Sequence, residues 1–281
     1  MTVASLFRAA CAAELDALKP GNVHRYADGH GMTMDDFLRS ADVAAGPLCR
    51  AGAALGERVL GAVAATRAAV GQNTNLGIVL LCAPLAHAAE RGGELRAGVR
   101  EAVEASTLDD ADRVFQAIRL AAPGGLGTAA RHDVARPATV RLPAAMAEAA
   151  HRDSIARQWV TGFADVFDAG LPAYDDALAR WGREGWAATA AYLGFLATVP
   201  DSHVARKYGA ETAEAVRHEA AAALARLDTA AEPEAAVPGL LAWDADLKRR
   251  GLNPGTSADL TVATIFAWQL RSGLRHGDFA G

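Results

Sequence analysis

Several charged and amide side chains stand where an ordinary surface residue would not. In the helix that the pattern predicts over residues 2–18, Phe7, Ala10, Cys11 and Leu18 form an apolar stripe. Glu14 falls inside that stripe, at i+4 from Ala10, i+3 from Cys11 and i−4 from Leu18. A carboxylate on a buried face is costly unless something pairs with it or binds it, so Glu14 is a candidate metal ligand or general base. The plainer alternative is a helix end that is open to water there. A second concentration is Pro200-Asp201-Ser202-His203 followed by Arg206 and Lys207. An acid, an imidazole and two cations at a helix junction can bind phosphate and metal, or can simply be solvated. Between residues 23 and 32 lie His24, Arg25, Asp28 and His30 with Gly29 and Gly31, a composition of either a connector or a substrate-binding loop.

The stretch Gly71-Gln72-Asn73-Thr74-Asn75-Leu76-Gly77 organises the rest. Asn73, Thr74 and Asn75 are helix-capping types, and the apolar run behind them predicts a buried helix ending at Gly92-Gly93. A helix N-terminus dressed with amides and hydroxyls can hold an anion or a ribose, although a well-capped core helix is its commoner use. Thr33 and Asp36 form a capping pattern, which leaves Asp35 to point elsewhere, and Gly46-Pro47 should break the helix that follows. Further helices are expected over 48–70, 94–105, 108–121, 143–171, 174–199, 211–227, 240–250 and 260–270. Trp159, Phe163 and Phe167 in the run 143–171 have the spacing of core packing. Thr107–Asp110 and Thr256–Asp259 read as further capping boxes, and residues 229–238 as a linker. The glycine-rich Pro123–Ala129 follows a helix and lacks a Gly-Lys-Ser/Thr ending, so it is no P-loop; Arg131-His132-Asp133 behind it are polar enough to face a site.

The chain has 281 residues, of which 51% are apolar and only 6% aromatic, much of the apolar share being alanine. That composition, without a convincing alternating strand, predicts an all-α fold, a single large multi-helical domain over 1–281. A net charge of −5 gives no general attraction to nucleic acid or to an anionic membrane. Cys11, Cys49 and Cys82 are scattered, which suits a reducing compartment and argues against a zinc cage. No secretory signal is visible and the run Leu76–Leu85 is too short to span a bilayer, so a soluble, cytoplasmic protein is expected, with a homodimer as the candidate assembly.

Taken together these motifs resemble the ATP:dephospho-coenzyme A triphosphoribosyltransferase family, which makes the prosthetic-group precursor of citrate lyase and malonate decarboxylase acyl carrier proteins. The matching positions are Glu14 with Lys19-Pro20-Gly21-Asn22-Val23; Thr33, Asp36-Phe37 and Ser40-Ala41; Asn73-Thr74 with Gly77; Pro200–His203 with Arg206-Lys207; and Asn253-Pro254-Gly255 with Ala258-Asp259-Leu260. The resemblance implies an all-helical enzyme. It departs at one point: where the family has Asn-Thr-His-Lys-Gly, this chain has Asn73-Thr74-Asn75-Leu76-Gly77, without the lysine charge. That implies a divergent branch of the kind associated with one-carbon carrier biosynthesis.

The implied reaction displaces adenine from ATP with an acceptor hydroxyl, on dephospho-coenzyme A or a related cofactor precursor. The ribose carbon then passes through oxocarbenium-like character, which carboxylates stabilise. Glu14, Asp36 and Asp259 are the implied catalytic carboxylates. Glu14, Asp35, Asp36 and Asp201 are implied ligands of Mg²⁺ on the triphosphate. Lys19, Asn22, Arg25, Ser40, Asn73, Thr74, Asn75, His203, Arg206, Lys207 and Asn253 are implied nucleotide or substrate contacts. Glu14, Asp36 and Asp259 are further expected to meet the Asn73–Asn75 loop in one pocket. Other acceptors remain open, of the tetrahydromethanopterin or methanofuran kind. So do a Mg²⁺-dependent nucleotide or ribosyl hydrolase and a helical binding protein without turnover.

Overall fold

A computed structural model of the chain describes residues 1–276, with side chains to residue 274. Among the described residues there are fourteen α-helices and no strand, so the expected all-α class holds. They are α1 (Val3–Asp16), α2 (Met34–Leu48), α3 (Leu55–Val70), α4 (Leu76–Arg91), α5 (Leu95–Glu104), α6 (Leu108–Ala121), α7 (Leu142–Ala149) and α8 (Ser154–Thr161). The second half of the chain forms α9 (Leu171–Trp181), α10 (Glu184–Thr198), α11 (Ser202–Tyr208), α12 (Ala210–Thr229), α13 (Val237–Arg249) and α14 (Gly255–His276). They fall into two compact units. Of the described residues, one comprises 1–10, 35–164 and 266–276, the other 11–34 and 165–265. No described helix is long and apolar enough to cross a membrane.

In the first unit α3 packs on α6 and α4, and α4 on α5. Helix α4 is buried along nearly its whole length from Leu76 to Ala89, as its unbroken apolar run requires, and Gly92 at φ +73° closes it. Thr107 and Asp110 form the expected reciprocal capping box on α6. The Asp110 carboxylate also accepts the Gly56 N–H at 2.7 Å, a close approach that glycine permits: a Cβ there would lie 2.6 Å from Asp110 Cα. Arg58 is sealed inside with its guanidinium on Ala53 O, Leu48 O and the Glu90 carboxylate. Phe7 and Phe266 meet edge to face at 5.8 Å.

In the second unit α10 is the central rod, buried from Ala187 to Leu196 except at Gly194, with α9 and α12 packed on it. Helix α12 keeps its charges outward and buries Ala213, Val216, Ala220, Ala223 and Leu227, a 3–4 spaced stripe. A single π-helical turn over Asp165–Gly170 leads into α9.

Four expected boundaries are corrected. The helix expected over 48–70 begins only at Leu55, because the chain turns through Gly52 at φ +68° first. The run expected over 143–171 is α7, α8 and the π turn, broken at Ala150–Asp153 and again at Gly162 and Phe163, both in the left-handed region. Trp159 and Phe163 are buried, but not by continuing one helix. The run over 174–199 is cut by Gly182 at φ +65°. Helix α14 starts at Gly255, so Thr256 lies within its first turn and is not its N-cap.

Gly170 abuts Thr264 and Phe195 so closely that a Cβ would sit 2.3 Å from Thr264 Oγ1 and 2.5 Å from Phe195 Cζ. We expect Gly170→Ala to lower the stability by about 1–3 kcal/mol through overpacking, measured by urea denaturation. An unchanged midpoint would show that this contact is looser than described.

Candidate active site

The second unit carries a polar frame around the loop Lys19–Val23. Lys19 and Glu14 are both buried and form an ion pair. Lys19 Nζ also donates to Asn22 Oδ1 at 3.1 Å and Val23 O at 2.8 Å, so all of its donors are used. Burial pushes the Glu14 carboxyl up and the Lys19 amine down, and each is the main force opposing the shift of the other. The stripe that singled out Glu14 therefore marked a real buried acid. Lys19 itself is wholly sealed, and this replaces its reading as a cation that neutralises phosphate: it holds the loop.

The loop is fixed from every side. Tyr192 Oη donates to Pro20 O at 2.6 Å, the Leu18 N–H to Thr189 Oγ1 at 3.1 Å, and the Gly21 N–H to Asp244 Oδ1 at 2.8 Å. His30 Nε2 donates to Gly21 O at 2.8 Å. Gly21 is required: its φ is +84°, and a Cβ would lie 2.8 Å from Pro254 Cδ. Asn22 Nδ2 then reaches Asn253 Oδ1 at 2.7 Å.

Asp244 is not among the residues that the sequence analysis singles out, yet it organises this region. Besides Gly21 it meets Lys248 Nζ at 3.0 Å and faces His24 Nε2 at 3.2 Å. Burial alone would raise its carboxyl; the donors from His24, Gly21 and Lys248 together bring it below the usual range. The test applied to Glu14 would have found it, since Asp244 lies between the buried Leu240 and Leu247 on one helix face.

The junction at 200–207 is built as a cap. Asp201 Oδ1 accepts the N–H groups of His203 at 2.9 Å and Val204 at 3.1 Å, and Oδ2 accepts Ser257 N at 2.8 Å and Oγ at 2.9 Å. Thr256 Oγ1 also accepts the His203 N–H, at 3.2 Å. Ser257 and Thr256 thus clasp α11 and do not cap α14. With both oxygens occupied, Asp201 does not fit a magnesium ligand. His203 lies against Gly255, where a Cβ would be 2.6 Å from its Nδ1. Burial, then Arg206, Lys207 and His30, push its imidazole down to about 4. The turn before α14 is tied to the end of α11 by Tyr208 Oη on Gly251 O at 2.8 Å. Asp259 is half-buried on α14 and near enough to Lys19 to favour its charge. Arg25 lies on the surface, paired with Asp16 at 3.2 Å.

In the first unit the predicted residues do come together around the start of α4. Asn73 Oδ1 accepts the Leu76 N–H at 3.1 Å, so Asn73 makes the cap while Asn75 does not. Asn75 Nδ2 instead donates to Thr66 Oγ1 at 2.9 Å. Ser40 Oγ donates to Asp36 O at 2.6 Å and meets Thr74 Oγ1 at 2.5 Å, so the Thr74 hydroxyl is the donor of that pair. Gln72 Nε2 reaches the Asp36 carboxylate at 3.4 Å. Asp36 is half-buried and Asp35 exposed. Arg131 pairs with Glu148 at 2.9 Å, and Asp133 accepts the N–H groups of Ala129 and Ala135, each at 2.8 Å, so this loop is closed on itself. Among the described residues no three His, Cys, Asp or Glu side chains are gathered to hold a metal ion.

An enzyme handling phosphorylated substrates is the class that this all-helical fold, with its cationic helix end and sealed carboxylate–lysine frame, suits. Residues 1–277 match the family described as ATP:dephospho-CoA triphosphoribosyl transferase, and the chain belongs to that family. It is therefore a transferase, as the motifs implied. A crystal structure named as that of a candidate triphosphoribosyl-dephospho-CoA synthase from Archaeoglobus fulgidus is similar to it, with 26% sequence identity, a TM-score of 0.63, and coverage of 82% of this chain and 96% of that one. No curated protein matches the chain.

Lys19→Met would leave Glu14 buried without its partner. We expect a loss of about 3–5 kcal/mol in a denaturant titration, against less than about 1 kcal/mol for Arg25→Ala at the exposed pair. Equal effects would show that the frame does not bear on stability. The folded His203 takes its proton only near pH 4, the unfolded one near 6.5, so the unfolded chain binds more protons in between. This contribution to stability is complete above about pH 6.5 and is lost as pH falls towards 4. His203→Gln should flatten that part of the stability–pH curve; an unchanged slope would place the imidazole in water.

Proposed function

We propose that this chain, acting in the cytoplasm, transfers the triphosphoribosyl group of ATP to a hydroxyl of dephospho-coenzyme A and releases adenine. The observation that carries this reading is the group at the end of α11. There Arg206 and Lys207, with a neutral His203, stand beside the turn that presents Asn253. Two cations next to hydrogen-bond donors suit a polyphosphate.

Asp36 is the carboxylate we assign to the proton of the attacking hydroxyl. It is half-buried and does not share the sealed pairing of Glu14. Asp259 is assigned to the positive charge that develops on the ribose carbon. Asp35, exposed in the first turn of α2, would be the carboxylate to hold a Mg²⁺ ion, which keeps its waters and needs only one or two carboxylates. Bound there, it would neutralise phosphate charge. Glu14 and Asp201 are given structural roles.

A different acceptor is favoured by one feature. Leu76 is buried, and Asn75 spends its amide on Thr66, so the start of α4 offers no side-chain cation. An acceptor with fewer phosphates would suit that surface better.

Adenine release from Mg-ATP, followed by chromatography with and without dephospho-coenzyme A, tests the proposal. Release only with the acceptor supports it, while equal release without any acceptor supports the hydrolase. Asp36→Asn should cut turnover at least about a hundredfold with the melting temperature little changed. If Asp36 only caps α2, the same change would cost about 1 kcal/mol or less and leave turnover intact.

A further inference from the structure

The buried frame fixes the direction of a chain of amides, and the direction decides what the last amide can bind. Amide oxygens and nitrogens are normally assigned from their partners, and here the partners leave no choice. Lys19 Nζ has donors only, so the side-chain atom of Asn22 that meets it at 3.1 Å is the oxygen. Asn22 must then point Nδ2 at Asn253, and the atom it meets at 2.7 Å must be Oδ1. Asn253 is consequently left presenting its N–H₂ group. If the proton of the ion pair moves to Glu14, the neutral Lys19 amine still has two N–H bonds, one for Asn22 and one for Val23 O. The polarity is therefore the same in either state of the pair.

Asn253 is 93% buried, being 7% exposed, and its Nδ2 has no hydrogen-bond partner among the described residues. It is also not among the polar atoms sealed from solvent without a partner. An amide that has surrendered most of its hydration and still holds two unused hydrogens towards the surface is a donor awaiting an acceptor. The surroundings select the kind of acceptor. Asn253 lies two residues before the start of α14, a 22-residue helix whose N-terminus is electropositive. Tyr208, next to Arg206 and Lys207, is bonded to Gly251 of the same turn, and His203 lies against Gly255.

We propose that Asn253 is a substrate-contacting residue that donates from Nδ2 to a phosphate oxygen of the nucleotide. Lys19 and Asn22 are then positioning residues that set its polarity from the interior. This rests on the reading of the chain as an ATP-dependent transferase and adds the atom, the direction of the hydrogen bond and the part of the nucleotide.

The test compares Asn253→Asp with Asn253→Ala at pH 8, where the new carboxylate is ionised. Binding of Mg-ATP and of Mg²⁺ with inorganic triphosphate is measured by calorimetry, and melting temperature alongside. Aspartate keeps the oxygen that Asn22 needs but turns the outer donor into an acceptor. We expect it to fold with a melting temperature near that of the parent and to bind both probes at least about a hundredfold more weakly. Alanine should lower the melting temperature and weaken both probes roughly tenfold. If aspartate binds like the parent, or if alanine leaves triphosphate affinity unchanged, Asn253 is only a structural bridge and the proposal fails. Loss confined to Mg-ATP would move the acceptor atom to the nucleoside and overturn the phosphate assignment. A parent protein that binds neither probe would overturn the transferase reading itself, and this inference with it. Should the aspartate variant not fold, the alanine arm decides alone.

Discussion

Placing the Lys19 ammonium where water cannot reach it is the demand from which the rest of the second unit follows. An isolated ammonium in an apolar interior would cost many kcal/mol, so every one of its donors must be met. Glu14, Asn22 and Val23 meet them. Doing so forces the chain to fold back within five residues, which only a loop with Gly21 at φ +84° allows. The folded-back loop exposes its own N–H and C=O groups to the interior, and Tyr192, Thr189, Asp244 and His30 answer those. One buried charge thus explains why polar residues gather on helix faces that are otherwise apolar.

The remaining charges divide by what they do. Asp201 is as deeply buried as Glu14, but it is met by two backbone N–H groups of α11 on one oxygen and by Ser257 on the other. It is a clasp between helix starts, and it fixes the helix that carries Arg206 and Lys207. In the first unit the side chains Ser40, Thr74, Asn75 and Thr66 near the start of α4 are paired hydroxyls and amides. Such groups orient a ligand or a loop but do not neutralise phosphate.

Much of this was readable in the chain where the cause is local. Gly71 and Gly92 end helices because they can take positive φ, and Thr107 with Asp110 starts one because a hydroxyl and a carboxylate three residues apart can trade bonds. Glu14 was visible because a charge in an apolar stripe is a local contradiction. Its partner Lys19 is only five residues away, but the partners that hold the Lys19 loop were not visible, since Asn253 and Asp244 are more than two hundred residues from Asn22 and Gly21. The failures share that cause. Thr256 looked like a cap, but its hydroxyl serves α11. Over 143–171 the apolar spacing continued across Gly162 and Phe163, although the backbone there reverses.

The most direct test of this account is a crystal structure of the protein with Mg-ATP and no acceptor. Lys19 Nζ should keep Glu14, Asn22 and Val23 as its partners while Asn253 Nδ2 faces a phosphate oxygen. A Lys19 side chain drawn out of the frame to contact the nucleotide would contradict it.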